Sequence, residues 1–435
     1  MTMTLSAVAV LLAIFLFFYL SLRGVHILPT TILCTLIVGL SAEGGLVTSL
    51  YTTFSNAMGT FAGGVVIAFM SGGILGGLLQ ASGCSERFGR TVVSRFGVRF
   101  APYALLVFVM IMAYCGITSY PFIAAILAFS LLRAANLPRN IGLIVIVGGA
   151  TLTFYMFPGS VFIGNLLPTT VFGTTLYAGA GIGLVAFAIG TVLDVLYIEY
   201  SCRKYRKLGI GYTPTEMEDK IGTLKDENDL PGFFSAILPF AVVVALALIF
   251  QLVVGLDAYP SCAFAQLIAA ALVLVMHWKR ITEKTKAISE GVVMSCVPVL
   301  QVAMIYGFAT VVSTTPIYNA VIGGVMNLQM SPYLLCVVGT MLLACISADA
   351  VAGIVMSSQM IGAKAMAMGA NPALLHRLTV ITGCTLDTMP YSSNLCVAMS
   401  FMGVNHKEGY FQCVVVGIGT TTVCALVAMV LCMVM

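Results

Sequence analysis

Of 435 residues, 60% are hydrophobic and only 8% charged, and the formal net charge is +4. A soluble domain carries roughly 25% charged residues. This composition therefore excludes an ordinary soluble domain, and so small a positive balance gives no footing for nucleic acid as a partner. Apolar runs of membrane length recur from residue 5 to residue 433. A span needs ~20 such residues, and lipid restricts spans to helices or a closed barrel, because backbone groups find no water there. The runs are continuous and rich in Leu, Ala, Val and Met, without period-two alternation, so helices are predicted.

The first run, residues 5–22, lacks a basic leading region and a small-residue cleavage site. It reads as a retained span rather than a signal peptide. Spans follow near 27–41 and 56–82. The third holds Gly72, Gly73, Gly76 and Gly77, a spacing that permits close helix contact. Arg87, Arg90, Arg95 and Arg99 then form a basic cluster. Segment 102–133 starts and ends beside basic residues, and its two arms of about 14 residues are short for spans. A re-entrant hairpin is predicted there. A span from about 140 breaks near Pro158, and another covers 173–198.

Residues 199–232 form the long hydrophilic stretch, with Arg203, Lys204, Arg206, Lys207, Lys220 and Lys225 among acids. The second half reads as spans at 233–254, 261–277 and 291–312, a hairpin at 332–363, a broken span at 378–402 and a last span at 409–433. Short motifs recur between the halves. Pro102-Tyr103 pairs with Pro332-Tyr333, Ala135-Asn136 with Ala370-Asn371, and Thr151-Leu152 with Thr385-Leu386, at offsets of about 230 to 235 residues. Four basic segments, including Lys279, Arg280, Lys284 and Lys286, assign the cytoplasmic side. Threading the chain on that basis gives five crossings plus a hairpin in each half, an odd number, so the halves are inverted repeats. Lys364 and Arg377 then fall outside, against the trend. The expected fold is an all-α polytopic membrane protein: first repeat 1–198, cytoplasmic linker 199–232, second repeat 233–435, with broken helices at the midplane and both termini outside.

The 13 cysteines sit singly in apolar runs without a Cys-x-x-Cys pair, and read as small packing residues. His26, His277, His376 and His406 are far apart and near span ends. No metal site is expected, and no deep histidine supports an enzyme. Intramembrane ionisable groups cost ~2.5–3.5 kcal/mol on insertion scales and mark function by default. Two acids read as deep, Asp349 in "CISADAVAG" and Asp387 in "TGCTLDTMPYSSN". Pro390 cannot continue a helix, so a break is predicted over 389–394. Its freed N–H groups carry the partial positive charge of a half-helix N-terminus. With no Lys or Arg in the predicted core, an anion would be held by hydroxyls, amides and helix ends. The candidate binding residues are Thr118, Ser119, Pro158, Gly159, Ser160, Asn165, Ser347, Thr388, Tyr391, Ser392, Ser393 and Asn394. Asp387 and Asp349 are the candidate coupling groups, because a proton or Na⁺ could offset a carboxylate's charge during crossing.

The stretch "LHRLTVITGCTLDTMPYSSN" (375–394) resembles the gluconate:proton symporter family, through His376, Arg377, Gly383, Leu386, Asp387, Thr388 and Pro390. "FPGSVFIGNLLPTTVFGTT" (157–175) resembles another stretch of that family at Pro158, Gly159, Asn165, Pro168, Phe172, Gly173, Thr174 and Thr175. Residues 81–97 and 20–27 extend the resemblance over most of the chain. It implies proton-linked import of a small organic acid and an elevator-type ion-transporter fold, dimeric, in a bacterial inner membrane. Many relatives carry His after the proline, whereas this chain has Tyr391. Together with the apolar segment 153–157, that points to a substrate less hydroxylated than gluconate.

The resulting expectation is a secondary active transporter of a small carboxylate driven by H⁺. The alternatives are Na⁺ coupling, or a cation/proton antiporter without organic substrate. Two deep acids in one half argue against the antiporter.

Overall fold

The computed structural model describes residues 3–23, 25–42, 44–114, 120–160, 162–214, 229–326 and 329–434, and every regular element among them is helical. In order, these are α1 (Met3–Leu22), α2 (Ile27–Gly39), α3 (Gly45–Ser82), α4 (Cys84–Phe96), α5 (Ala101–Tyr114), α6 (Tyr120–Ala134), α7 (Arg139–Tyr155), α8 (Ile163–Phe172) and α9 (Ala180–Lys207). After the hydrophilic linker come α10 (Phe233–Ile249), α11 (Ala258–Met276), α12 (Lys284–Ser313), α13 (Pro316–Met326), α14 (Pro332–Ser347), α15 (Ala350–Ala367), α16 (Pro372–Gly383), α17 (Ser393–Met402) and α18 (His406–Val434). Within them, α3, α15 and α18 each contain a π-turn, at Ser49–Phe54, Ser358–Gly362 and Val415–Gly419.

Among the described residues, five helices are long and apolar enough to cross a membrane. Large apolar side chains such as Leu11, Phe15, Val192, Leu196 and Val430 stand exposed on the outside. So wide an apolar surface is incompatible with water as the surrounding solvent. The chain is a membrane protein, and those side chains meet lipid.

Lipid offers little hydrophobic drive between helices, so close packing has to supply it. The α3–α12 pair shows how. A Cβ at Gly73 would strike the backbone carbonyl of Gly291, and one at Gly77 the carbonyl of Ala287. The glycine run of the third span thus lets two backbones touch.

The basic segments gather at one end of the molecule. Arg87 donates to the Pro231 carbonyl at 2.7 Å, Arg99 and Arg203 both pair with Glu199, and Arg133 lies over the Tyr212 ring. Arg139 donates to the Met402 and Gly403 carbonyls, so the α17–α18 turn is at that end too. Helix α18 runs from there to the far end, where Cys432 contacts the Leu374 carbonyl at the start of α16. Asn371 N–H in turn donates to Tyr333 Oη at the start of α14. The helix pair α5/α6 therefore has its base at the basic end, and the pair α14/α15 has its base at the opposite end.

Two features differ from expectation. Arg87, Arg90 and Arg95, read from the sequence as part of a basic cluster between spans, sit on a separate helix, α4. The break before α17 is also wider than the proline alone implies. Helix α16 stops at Gly383, and no helix resumes until Ser393. Asp387 therefore lies inside the break rather than on a helix ahead of it.

Candidate functional site

Three interruptions build the site. In the first, α14 ends on Ala348, which adopts the left-handed conformation at φ 48°. That region is unfavourable for a residue with a Cβ, and it turns the chain so that Asp349 starts α15. Asp349 Oδ1 accepts the Ala352 N–H at 2.7 Å, an N-cap bond. In the second, residues 384–392 run without helix, and Thr388 donates its hydroxyl to Asp387 Oδ1 at 3.0 Å. In the break the Pro390 carbonyl accepts from His406 Nε2 at 2.7 Å, and the Thr388 carbonyl accepts from Tyr410 Oη at 3.4 Å. The broken backbone is thus satisfied by protein, as lipid requires. In the third, residues 156–162 separate α7 from α8, where Gly159 takes φ +82° and its N–H donates to the Leu176 carbonyl.

These interruptions meet at a cavity of about 490 Å³, within the range of small-molecule sites, ~300–1,000 Å³. Asp349 and Asp387 both line it, with Thr388, Ser392, Ser393 and Asn394. Helix α17 begins there at Ser392 without a side-chain cap. Uncapped helix N-termini present N–H donors and partial positive charge. The first turns of α6 and α15 reach the same walls through Tyr120, Pro121, Val351 and Ala352. Aromatic rings form much of the rest, among them Tyr155, Tyr259, Tyr306, Phe154 and Phe162. No Lys or Arg lines the cavity among the described residues.

The other predicted site residues lie elsewhere. Thr118 and Ser119 lie outside the described residues. Ser347 turns its hydroxyl to the Leu343 and Asp349 carbonyls, serving the turn. Tyr391 is buried away from the cavity walls. Its hydroxyl donates to the Cys345 carbonyl at 2.9 Å, and its ring packs against Phe17 and Phe308. Proline 158, Gly159, Ser160 and Asn165 are not in the walls either. Asn165 Nδ2 donates to the Ser160 and Leu176 carbonyls.

That last group surrounds a residue expected outside the membrane. Arg377 is fully buried, so the expectation of a core free of cations is corrected. Its Nε and Nη2 donate to the carbonyls of Ala178 and Leu176, both at 2.9 Å. Its stem lies against Gly179, where a Cβ would collide with it, and beside Gly183, where a Cβ would strike the Met156 carbonyl. An Arg can be held this way because its fork of donors matches several carbonyls at once. The histidine reading also changes. His376 is fully buried and bonded to Thr174 Oγ1 at 2.6 Å, and His406 is nearly so. Both hold backbone or hydroxyl partners rather than each other.

A third deep acid is Asp194, in the middle of α9 and fully buried. Its local sequence, "GTVLDVLYIEY", resembles the start of the charged linker, and no proline or hydroxyl run marks it. The ring residues were missed for a related reason. A Tyr in an apolar run looks the same whether it faces lipid, packing or a cavity.

A membrane protein with interrupted helices around a chamber of mainly apolar walls and two carboxylates is the class that fold and site define. No family model matches the chain. It is similar to the uncharacterized transporter YxjC of Bacillus subtilis, with 22% identity over 444 residues, spanning 93% of this chain and 94% of that one. It is also similar to the crystal structure of the Alcanivorax borkumensis YdaH transporter, which is described as having an unusual topology. There the TM-score is 0.44 and the identity 14%, covering 98% of each chain.

Proposed function

We propose that this protein is a secondary active transporter that moves a small organic anion across the membrane together with protons. One observation carries the reading. Asp349 and Asp387, from two separate helix interruptions, line one cavity beside the uncapped start of α17, with no cationic side chain among its described walls. An anion entering that chamber with both carboxylates charged meets repulsion in a low-dielectric space. The helix terminus and the hydroxyl and amide groups of Ser392, Ser393 and Asn394 can hold a carboxylate, but only once the acids are neutralised. Binding of substrate and binding of protons thus become one event, and this is symport. Discontinuous helices with substrate at the half-helix ends are the arrangement that secondary transporters use.

The motifs at 375–394 and 157–175 support membership of the gluconate:proton symporter group, and the name of the Bacillus relative supports transport as the activity. Inverted halves 1–198 and 233–435, elevator motion, a homodimer and a bacterial inner membrane complete the proposal. The oppositely based pairs α5/α6 and α14/α15 support the inversion. The aromatic walls favour a substrate less hydroxylated than gluconate, now on the strength of Tyr155 and Phe154 rather than Tyr391. Na⁺ in place of the proton is the coupling alternative.

A second reading has its own observation. Several aromatic rings and two carboxylates around one chamber also suit an organic cation, attracted by ring faces as well as charge. Thermal unfolding of the purified protein with a library of carboxylates and amines separates the two, because a ligand that binds only the native state raises apparent stability. The symport reading expects carboxylates to stabilise at acidic pH and lose that effect at alkaline pH. Stabilisation by amines alone would replace it with the cation reading.

A further inference from the structure

Asp194 is the deep acid that the cavity does not use. Oδ1 accepts from Thr420 Oγ1 at 2.8 Å. Oδ2 is buried with no hydrogen-bond partner among the described residues. Across from it on α7 stands Gly148, where a Cβ would collide with Oδ2, so the acid is accommodated by the absence of a side chain. A carboxylate with one donor and no counter-charge is costly to bury. The groups that face it supply none. From α18 the titratable group is Cys424, whose Sγ is engaged with the Ala186 carbonyl. From α16, Arg377 reaches only Gly179 and Gly183 of α9, about 16 Å along the helix from Asp194 at 1.5 Å per residue. On α9 itself, Glu199 is occupied by Arg99, Arg203 and Tyr103 at the basic end.

The partner of Asp194 ties it to the cavity. Thr420 directly follows the π-turn Val415–Gly419 of α18. Within that turn Gly417 presses on Thr388, since a Cβ there would strike the Thr388 hydroxyl and methyl. Thr388 is the residue that donates to Asp387. Single π-turns inside α-helices concentrate at functional sites, and this one touches the partners of two deep acids through residues three apart. We infer that Asp194 is a second proton-binding site of this protein, outside the substrate chamber, linked to Asp387 through Thr388, the π-turn at Gly417 and Thr420. Its part in coupling rests on the transporter reading above, but its protonation does not.

The test needs no substrate. Infrared difference spectra are recorded on the protein in lipid while pH is stepped from alkaline to acidic, reading the carbonyl stretch of protonated carboxyl groups. Asp194→Asn is expected to lose one such band and retain the rest, and Asp387→Asn to lose a different band and displace the Asp194 one. Thr420→Val keeps the Asp194 carboxyl but removes its hydrogen bond, and is expected to move that band to higher frequency. Should Asp194→Asn fail to fold, the Thr420→Val displacement decides alone. An Asp194→Asn spectrum matching the parent, or bands unmoved in Thr420→Val, overturns the site. An Asp194 band unmoved in Asp387→Asn overturns the link. Failure of every carboxylate and amine to stabilise the protein would sink the transporter reading and leave these spectra unaffected.

Discussion

His406 donates its Nε2–H to the carbonyl of Pro390 at 2.7 Å, joining the start of α18 to the break before α17. Among the described residues the Cys396 thiol also reaches that carbonyl, at 3.5 Å, but it is the weaker donor. Losing the stronger donor to a buried carbonyl costs up to about 1–3 kcal/mol. His406→Ala is therefore expected to lower the unfolding temperature of the purified protein. His406→Gln, with an amide N–H able to reach the same acceptor, is expected to recover part of the loss. Equal destabilisation by both would show that the ring's packing on Tyr410, not its donor, is what matters.

The two acids of the chamber predict different outcomes. Asp387→Asn keeps the shape and an acceptor for Thr388 but removes the proton site. It is expected to abolish gradient-driven accumulation in proteoliposomes while sparing exchange of substrate. Asp349 also caps α15, and replacing a cap by Ala costs about 1 kcal/mol. Asn can still accept from Ala352 N–H, so Asp349→Asn isolates the charge and Asp349→Ala adds the loss of the cap. Accumulation unchanged in Asp387→Asn would remove that residue from the coupling step.

Much of this site could be read from the chain because lipid makes polarity expensive. A carboxylate, a proline and a run of hydroxyls at 387–394 have no reason to sit in an apolar segment unless the helix breaks there. Of the five candidates at 388 and 391–394, four line the cavity together with Asp387, and Tyr391 is the one outside its walls. What remained hidden has the opposite character. Arg377 was placed outside by the threading, against the trend of the basic segments, whereas it is buried with carbonyls of residues 176 and 178 as its partners. Carbonyls leave no trace in a sequence. Asp194 was hidden because it borders charged residues at 199–207, and a helix that leaves the membrane late looks like one that leaves early.

Arg377 yields a prediction from that same arrangement. Arg377→Met keeps an apolar stem against Gly179 and Gly183 but strips the Ala178 carbonyl of its donor, while the Leu176 carbonyl keeps Gly159 N–H and Asn165 Nδ2. At about 1–3 kcal/mol for one orphaned group, the protein is expected to lose part of its margin, read as a lower unfolding temperature and reduced yield. Arg377→Lys retains charge with a single compact donor group and no fork, and is expected to rescue only in part. Wild-type stability in Arg377→Met would mean that the buried charge costs as much as its bonds return.

Packing of α3 on α12 gives a sharper test, because backbone opposes backbone. Gly73 and Gly291 each leave no room for a methyl group against the other's carbonyl. Overpacking in a close-packed interior costs typically 1–3 kcal/mol, and here no flexible side chain can yield. Gly73→Ala is expected to destabilise, whereas Gly63→Ala on the same helix, with open space at its Cβ, is expected to be silent. Comparable unfolding temperatures for the two variants would refute the close approach.

Tyr391 and Tyr155 separate packing from recognition. Tyr391 donates to the Cys345 carbonyl and is walled off by Phe17 and Phe308, whereas Tyr155 lines the chamber. Tyr391→Phe removes one hydrogen bond while Ala348 N–H stays on the Cys345 carbonyl, so it is expected to cost about 0.5–1.5 kcal/mol without reordering which carboxylates stabilise the protein. Tyr155→Phe alters a wall of the chamber and is expected to reorder them with little change in the unfolding temperature of the empty protein. A changed ligand ranking in Tyr391→Phe, with none in Tyr155→Phe, would mean that the substrate meets the other side of the break, and the chamber would lose its assignment.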